Sequence, residues 1–257
     1  MIKYIKKAIK SLFSRIKIFR VPAVFYCSEN NLFPEVFVRT STARLRELLL
    51  LPESKYETQL NQDIFALLVN RFGNGYFLEI GANDGYTISN TVYLEEKFGW
   101  NGLLVEANPA YEISLKNRKS KSIIAAITDK KGTFKFRAAG LYGGVDESLD
   151  RMHNKITDGA PLITVNGITL EQALVDHGAP SLINFVSIDV EGGELPIVRQ
   201  LCDLRNFRFL CGCIEHNFRM EDYSEIVELL QRADYQVIWN GKTLQDLFFI
   251  DKLSVNE

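Results

Sequence analysis

From residue 76 onward the chain alternates between short apolar runs and stretches whose apolar positions repeat every three or four residues. The runs, bounded by Gly, Asn or Asp, predict buried strands; the stretches predict helices packed by one face. Strands are expected at 76–81 (YFLEIG), 102–108 (GLLVEAN), 123–127 (IIAAI), 133–138 (TFKFRA), 183–191 (INFVSIDVE) and 209–217 (FLCGCIEHN). Helices are expected between them at 91–98, 110–120, 170–178, 194–201 and 225–233. Residues 235–240 and 246–251, joined by a short turn, predict an antiparallel hairpin at one edge of the sheet. Gly140, Gly143 and Gly144 mark an irregular loop running to about residue 160. Strands alternating with helices give an α/β fold, a mostly parallel sheet covered on both faces.

Upstream the pattern changes. Residues 44–51 read as a helix ending at Pro52, and 59–72 as a second, with Leu60, Ile64, Leu67 and Leu68 on one face and Gly73-Asn74-Gly75 after it. Residues 1–20 place Ile2, Ile5, Ile9, Leu12, Phe13 and Ile16 on one helical face. Lys3, Lys6, Lys7, Lys10, Arg15, Lys17 and Arg20 fall mostly between them, with no acid. Such a segment can lie in an anionic membrane surface; the plainer alternative is a helix packed on the domain or a frayed terminus. Its charges run throughout, so it is no signal peptide. Three parts result: a basic amphipathic helix at 1–20, an N-terminal extension at 21–60 and an α/β domain at 61–257.

Charge sharpens this picture. The net charge of −2 hides a body that keeps 23 basic against 32 acidic residues once the first 20 are set aside. A nucleic-acid footprint would spread basic charge over the body, so nucleic acid is not an expected partner. Four cysteines make no disulfide scaffold, and Cys211 and Cys213 lack the second pair a zinc site needs. The expected setting is a reducing cytoplasm, with contact at the inner face of the membrane through residues 1–20.

The candidate chemistry sits at strand ends. The first predicted strand runs into Glu79-Ile80-Gly81-Ala82-Asn83-Asp84-Gly85. Its glycines are four apart, unlike the spacing of a dinucleotide fingerprint. Glu79 and Asp84 flank the turn and would repel a pyrophosphate while accepting a cationic centre. Glu106 ends the second strand, where an acid can accept both hydroxyls of a ribose. A nucleoside carrying positive charge satisfies all three, and S-adenosylmethionine is one. The fourth strand ends in Asp189, Glu191 and Glu194, whose mutual repulsion should raise some pKa values toward the range of a general base. Glu194 reads equally well as a stabiliser of a helix N-terminus. His216, beside Asn217 at the end of the next strand, is a further candidate base or substrate ligand. Asp189, Glu191 and Glu215 could also take Mg²⁺, although no metal is assigned.

These stretches resemble the FkbM family of S-adenosylmethionine-dependent methyltransferases. The resemblance is carried by FLEIGANDGYT (77–87), LLVEANP (103–109), AAITDKKG (125–132), ITLEQAL (168–174), INFVSIDVEGGELPIVRQL (183–201) and GCIEHN (212–217). QLNQD (59–63) is similar to a stretch that often precedes the first strand. The resemblance implies a Rossmann-like class I methyltransferase core with a seven-stranded sheet, and O-methylation of a sugar, glycan or related small molecule. It implies Glu79, Gly81, Asn83 and Gly85 along the methionine and ribose side, Glu106 on the ribose, Asp129 or its neighbours beside adenine, and Asp189 under the transferred methyl; Asp84 joins them as a cofactor-binding candidate. Asp189, Glu191 and His216 are the candidate bases.

Two rivals remain from sequence. A nicotinamide-dependent oxidoreductase is opposed by the glycine spacing and the two acids. A non-catalytic, membrane-associated nucleoside-binding module is opposed by the intact cofactor motif, though fold alone does not fix function.

Overall fold

The computed structural model describes residues 41–149, 154–239 and 245–253. The amphipathic segment 1–20 and the first half of the extension, 21–40, lie outside the described residues.

Seven strands form the main sheet: β1 (Tyr76–Ile80), β2 (Asn101–Glu106), β3 (Lys121–Ile124), β9 (Phe185–Ile188), β11 (Cys211–Glu215), β12 (Tyr235–Trp239) and β13 (Asp246–Asp251). Their order is β12-β13-β11-β9-β1-β2-β3, with only β13 antiparallel to its neighbours. The expected terminal hairpin is present, but its last strand is not at the edge: β13 slots between β11 and β12. A second sheet, β4 (Ala126–Ile127), β7 (Leu162–Ile168), β5 (Gly132–Arg137) and β6 (Gly144–Val145), branches off after β3. A two-stranded pair joins β8 (Leu182–Ile183) to β10 (Arg208–Phe209).

Side-chain alternation splits each buried strand between two cores. Leu78, Leu103, Val186 and Phe249 point to one face, where helices α6 (Leu170–Asp176), α7 (Glu194–Asp203) and α8 (Met220–Arg232) cover them. Their neighbours Phe77, Leu104, Phe185 and Phe248 point to the other. There α2 (Gln62–Val69), α3 (Val92–Phe98) and α4 (Glu112–Leu115) pack. Because both faces are buried, these strands carry continuous apolar runs, the feature that made them legible. A full-sized buried aliphatic or aromatic side chain here contributes about 1.5–3 kcal/mol.

Helix α2 is buried nearly all round, not on one face as its spacing suggested. It carries Asp63, which forms an ion pair of 2.6 Å with Arg46 of helix α1 (Thr42–Leu49). Arg46 also donates to the Tyr56 carbonyl at 2.6 Å and lies over the Tyr93 ring. These bonds fasten residues 42–63 to the main domain.

Three sequence expectations need correction. The run 123–127 is two strands: Ala125 bonds back to Glu106, after which Ala126 pairs with Gly167 in the second sheet. The segment expected as an irregular loop contains β6 and the short helix α5 (Asn154–Thr157), and the expected helix 110–120 shrinks to a 3-10 turn and α4. Strand β7 had no counterpart in the sequence reading. Ile163 and Val165 alternate with Thr164 and Asn166 there, a signal obscured by Gly167 and the exposed Leu162.

Candidate active site

A cavity of about 330 Å³ opens over the carboxyl ends of the central strands. β1 is flanked by β2 on one side and β9 on the other, all parallel, so the order in which strands are added to the sheet reverses here. Such switch points are where open α/β sheets bind ligands. Gly81 is the hinge: its φ is +89°, and its N–H reaches the Val105 carbonyl at 2.9 Å.

Glu106 stands at the end of β2, buried, with its two oxygens accepting the N–H groups of Asn83 and Asn108, both at 2.7 Å. Burial pushes its pKa up, and the N–H groups of Asn108, Asn83 and Ala107 oppose that shift. Asn83 has φ +49°, a left-handed conformation Asn tolerates, and that conformation aims its N–H at Glu106.

Glu79 lies one turn of the wall away. Its carboxylate accepts the Ser89 hydroxyl, the Asn90 N–H at 2.8 Å and the Thr91 hydroxyl. Burial raises its pKa, while the Arg118 charge and these bonds lower it. Arg118 is itself buried, paired to Glu95 at 2.9 Å and bonded to the Gly85 carbonyl. Sequence reasoning missed Arg118, which lies in a basic run resembling a solvated helix face.

The acidic end of β9 meets that of β11. Asp189, Glu191 and Glu215 bring carboxylate oxygens within 4.8 Å of one another, a spacing that a divalent cation could bridge. Asp189 and Glu215 thus face each other as two crowded carboxyl groups, an arrangement that favours the protonated form of one of them. Burial pushes both upward, and the negative charge of Asp189, Glu191 and Asp246 around Glu215 acts on it in the same direction. Asn217 donates to Glu215 at 2.9 Å and to Glu191 at 3.4 Å. Asp246 lies opposite Glu215 in the β11–β13 register and accepts from Gln62 at 3.0 Å.

Not every expected residue faces the cavity. Glu79, Gly81, Asn83, Glu106, Asp189 and Glu191 line it. Asp84 instead folds its carboxylate onto the Tyr86 and Thr87 N–H groups, at 2.8 and 2.7 Å, and shapes the turn. Burial would raise its pKa, but bonds from Thr87 and Tyr86 outweigh it and hold it low. Gly85 adopts φ +81° against Leu115 and Arg118, off the lining. Asp129 is exposed in the turn after β4, and the wall nearby is made by Ala125, Ala126 and Ile127. His216 is 2% exposed and packs against Tyr223 and Phe218, with ring centroids 5.0 and 6.1 Å away. The two-residue period that brings Glu215 and Asn217 to the cavity turns His216 away from it. Glu194 is the staple of the turn after β9: its Oε1 accepts the Val190 and Gly192 N–H groups, each at 3.0 Å.

Among the described residues, the lining contains five carboxylates (Glu79, Glu106, Asp189, Glu191 and Glu215) and no Lys, Arg or His. A site of this charge rejects phosphates and suits a ligand with a cationic centre and hydroxyl donors.

The sequence matches the family model described as the methyltransferase FkbM domain over residues 79–237. Solved structures with similar folds include the methyltransferase FkbM from Methylobacillus flagellatus KT, 12% identical, with a TM-score of 0.42. That alignment covers 69% of this chain but 43% of the other, so this chain spans less than half of that relative. The precorrin-6y C5,15-methyltransferase of Geobacter metallireducens GS-15 is 15% identical over 77% of this chain and 90% of its own, with a TM-score of 0.38. The O-methyltransferase TomG from Streptomyces achromogenes, solved in complex with SAM, is 12% identical over 95% and 96%, with a TM-score of 0.36. No curated protein matches the sequence. A family match that spans more than half of the chain, and takes in both acidic strand ends and the Gly81 hinge, establishes that this protein belongs to the FkbM methyltransferase family.

Proposed function

We propose that the protein transfers the methyl group of S-adenosylmethionine to a hydroxyl of a sugar, glycan or related small molecule. The observation that carries this reading is that every ionisable acid or base on the lining is an acid, which matches a cationic nucleoside and opposes a dinucleotide. When bound, S-adenosylmethionine supplies a methyl on a sulfonium that departs as a neutral thioether. Glu106 would hold the ribose hydroxyls, since a carboxylate's lone pairs outnumber the backbone N–H groups it accepts. Gly81 would let the backbone approach closely, and Ala125, Ala126 and Ile127 would form the bed for the base. Because the leaving group needs no acid, the chain's own work is to orient the acceptor and remove its proton. Asp189 or Glu191 would take that proton at a carboxylate oxygen. His216, packed away from the cavity, is not assigned this role.

Calorimetric titration tests the reading. Saturable binding of S-adenosylmethionine, weakened in Glu106→Ala and absent for NADH, is the expected result. Binding of NADH in its place would return the protein to oxidoreductase chemistry. Cofactor binding with no methyl transfer to any acceptor would favour a non-catalytic module.

Among the described residues no helix is long and apolar enough to cross a membrane. Residues 1–20 would reach an anionic membrane surface through their apolar face and seven basic side chains. Sedimentation of a 1–20 reporter fusion with anionic vesicles at low salt is the check; failure to sediment removes the idea.

A further inference from the structure

The cavity wall on the β11–β13 side includes two residues outside the family-matched segment. Gln59 precedes helix α2 and Gln245 precedes β13; they are 186 positions apart, and both line the cavity. Their side chains meet: Gln245 Nε2 donates to Gln59 Oε1 at 2.5 Å. Each is held from behind. The Gln245 carbonyl accepts the N–H groups of His216 and Asn217, at 2.7 and 3.2 Å, so its backbone is tied to the end of β11. The segment carrying Gln59 is fixed three residues on, where Gln62 donates to Asp246, and again by the buried Arg46–Asp63 pair.

One donor and one acceptor are consumed where the amides meet. Beside the second N–H and lone pair of the two atoms in contact, the Nε2 of Gln59 and the Oε1 of Gln245 remain without a partner among the described residues. A hydroxyl both donates and accepts, so two neighbouring hydroxyls match a paired amide donor and acceptor. The groups beyond them, Asn217 and the carboxylates Glu191 and Glu215, are also of the kinds that bind hydroxyls. Across the sheet, Glu106 and the Ala125–Ile127 bed lie on the opposite side of Gly81. The amide pair therefore belongs to the acceptor half of the cavity.

We infer that Gln59 and Gln245 are specificity-determining residues that select an acceptor with adjacent hydroxyls, such as a pyranoside, by hydrogen-bonding the diol. The inference rests on the methyl-transfer reading; both residues lie outside the matched segment 79–237, Gln59 within the QLNQD stretch.

The test uses the full chain loaded with S-adenosylhomocysteine and a panel of methyl hexopyranosides, followed by saturation-transfer NMR. Wild-type protein should bind at least one pyranoside. Gln59→Met and Gln245→Met, each close in size but without the amide, should weaken that binding about tenfold, the upper end of the loss expected for one hydrogen bond. Affinity for S-adenosylhomocysteine and the melting temperature should stay unchanged, because Gln59 is exposed and Gln245 half-buried. Pyranoside binding that survives both substitutions overturns the inference. So does a wild-type site that takes up S-adenosylhomocysteine but no pyranoside, and the cofactor reading then stands. Absence of S-adenosylhomocysteine binding brings down both.

Discussion

Gly81 and Asp189 approach so closely that a Cβ at residue 81 would lie 1.6 Å from the Asp189 carbonyl oxygen. The obstacle is backbone, so no side-chain rotation relieves it, and φ +89° is itself strained for any L side chain. Gly81→Ala is expected to prise apart the ends of β1 and β9, lower the melting temperature by several degrees and abolish cofactor binding. Thermal melts with calorimetric titration provide the check. Unchanged binding would mean that the strand ends can separate without harm.

Asp189 and His216 should separate chemistry from architecture. Asp189→Asn keeps the shape of the wall but removes a proton acceptor, so methyl transfer should fall about a hundredfold or more. S-adenosylmethionine affinity should move by less than about threefold. His216→Gln should show the opposite pattern, a lower melting temperature with turnover nearly preserved. Equal losses of affinity and turnover in Asp189→Asn would make Asp189 a binding residue only.

Asp246 gives the fold a pH dependence of definite sign. Burial first, then the nearby Asp189 charge, pushes its pKa up to about 7 against the opposing bond from Gln62; its ordinary value is 3.8. Between those values the fold holds a proton that the unfolded chain has released. Stability should therefore fall as pH rises from about 4 to about 7, by up to about 1.4 kcal/mol per unit. Glu194, also raised to about 7 by burial, adds to the same slope. Asp246→Asn still offers Gln62 an acceptor but cannot titrate, so denaturant midpoints across this range should flatten. Parallel profiles for the two proteins would exclude Asp246 as a source.

Arg118 is a test of buried charge. Arg118→Met strands Glu95, which has lost its partner inside the protein, and should cost about 3–5 kcal/mol in chemical denaturation. Arg118→Lys should recover only part, since an ammonium cannot reproduce the fork to Glu95, Thr91 and the Gly85 carbonyl. A loss below about 1 kcal/mol would show that water reaches the pair.

Metal dependence is answered by removal. Burial raises the pKa of both Asp189 and Glu215, and a divalent ion among the three carboxyl groups would have to overcome that preference for the protonated forms. Methyl transfer is expected to survive excess EDTA. Loss of activity restored by Mg²⁺ would turn that wall into a metal centre.

The sheet was legible in the sequence because its strands are buried on both faces and therefore read as unbroken apolar runs. The second sheet was harder: its strands are half-exposed, and the step from β3 to β4 at Ala125 leaves no mark in a run of apolar residues. Glu106, Gly81 and Asp189 could be found from their places at strand ends. Asp84 and His216 could not be judged the same way, because a side chain's direction depends on turn geometry and on strand parity. Asp84 turned onto its own backbone, and His216 fell between Glu215 and Asn217, on the opposite face of the chain. Arg118, Gln245 and Asp246 were invisible for another reason: each acts through partners distant in sequence.

The clasp between residues 59–62 and 245–246 bears on what counts as the unit of this protein. A fragment trimmed to the borders of the family match would keep the glycine hinge and both acidic strand ends. It would lose the two amides, Asp246 and the whole of β13, the strand that separates β11 from β12. The segment that the family match covers is thus smaller than the body that walls the cavity, and a chimera joined at those borders would inherit the acidic strand ends with one wall missing.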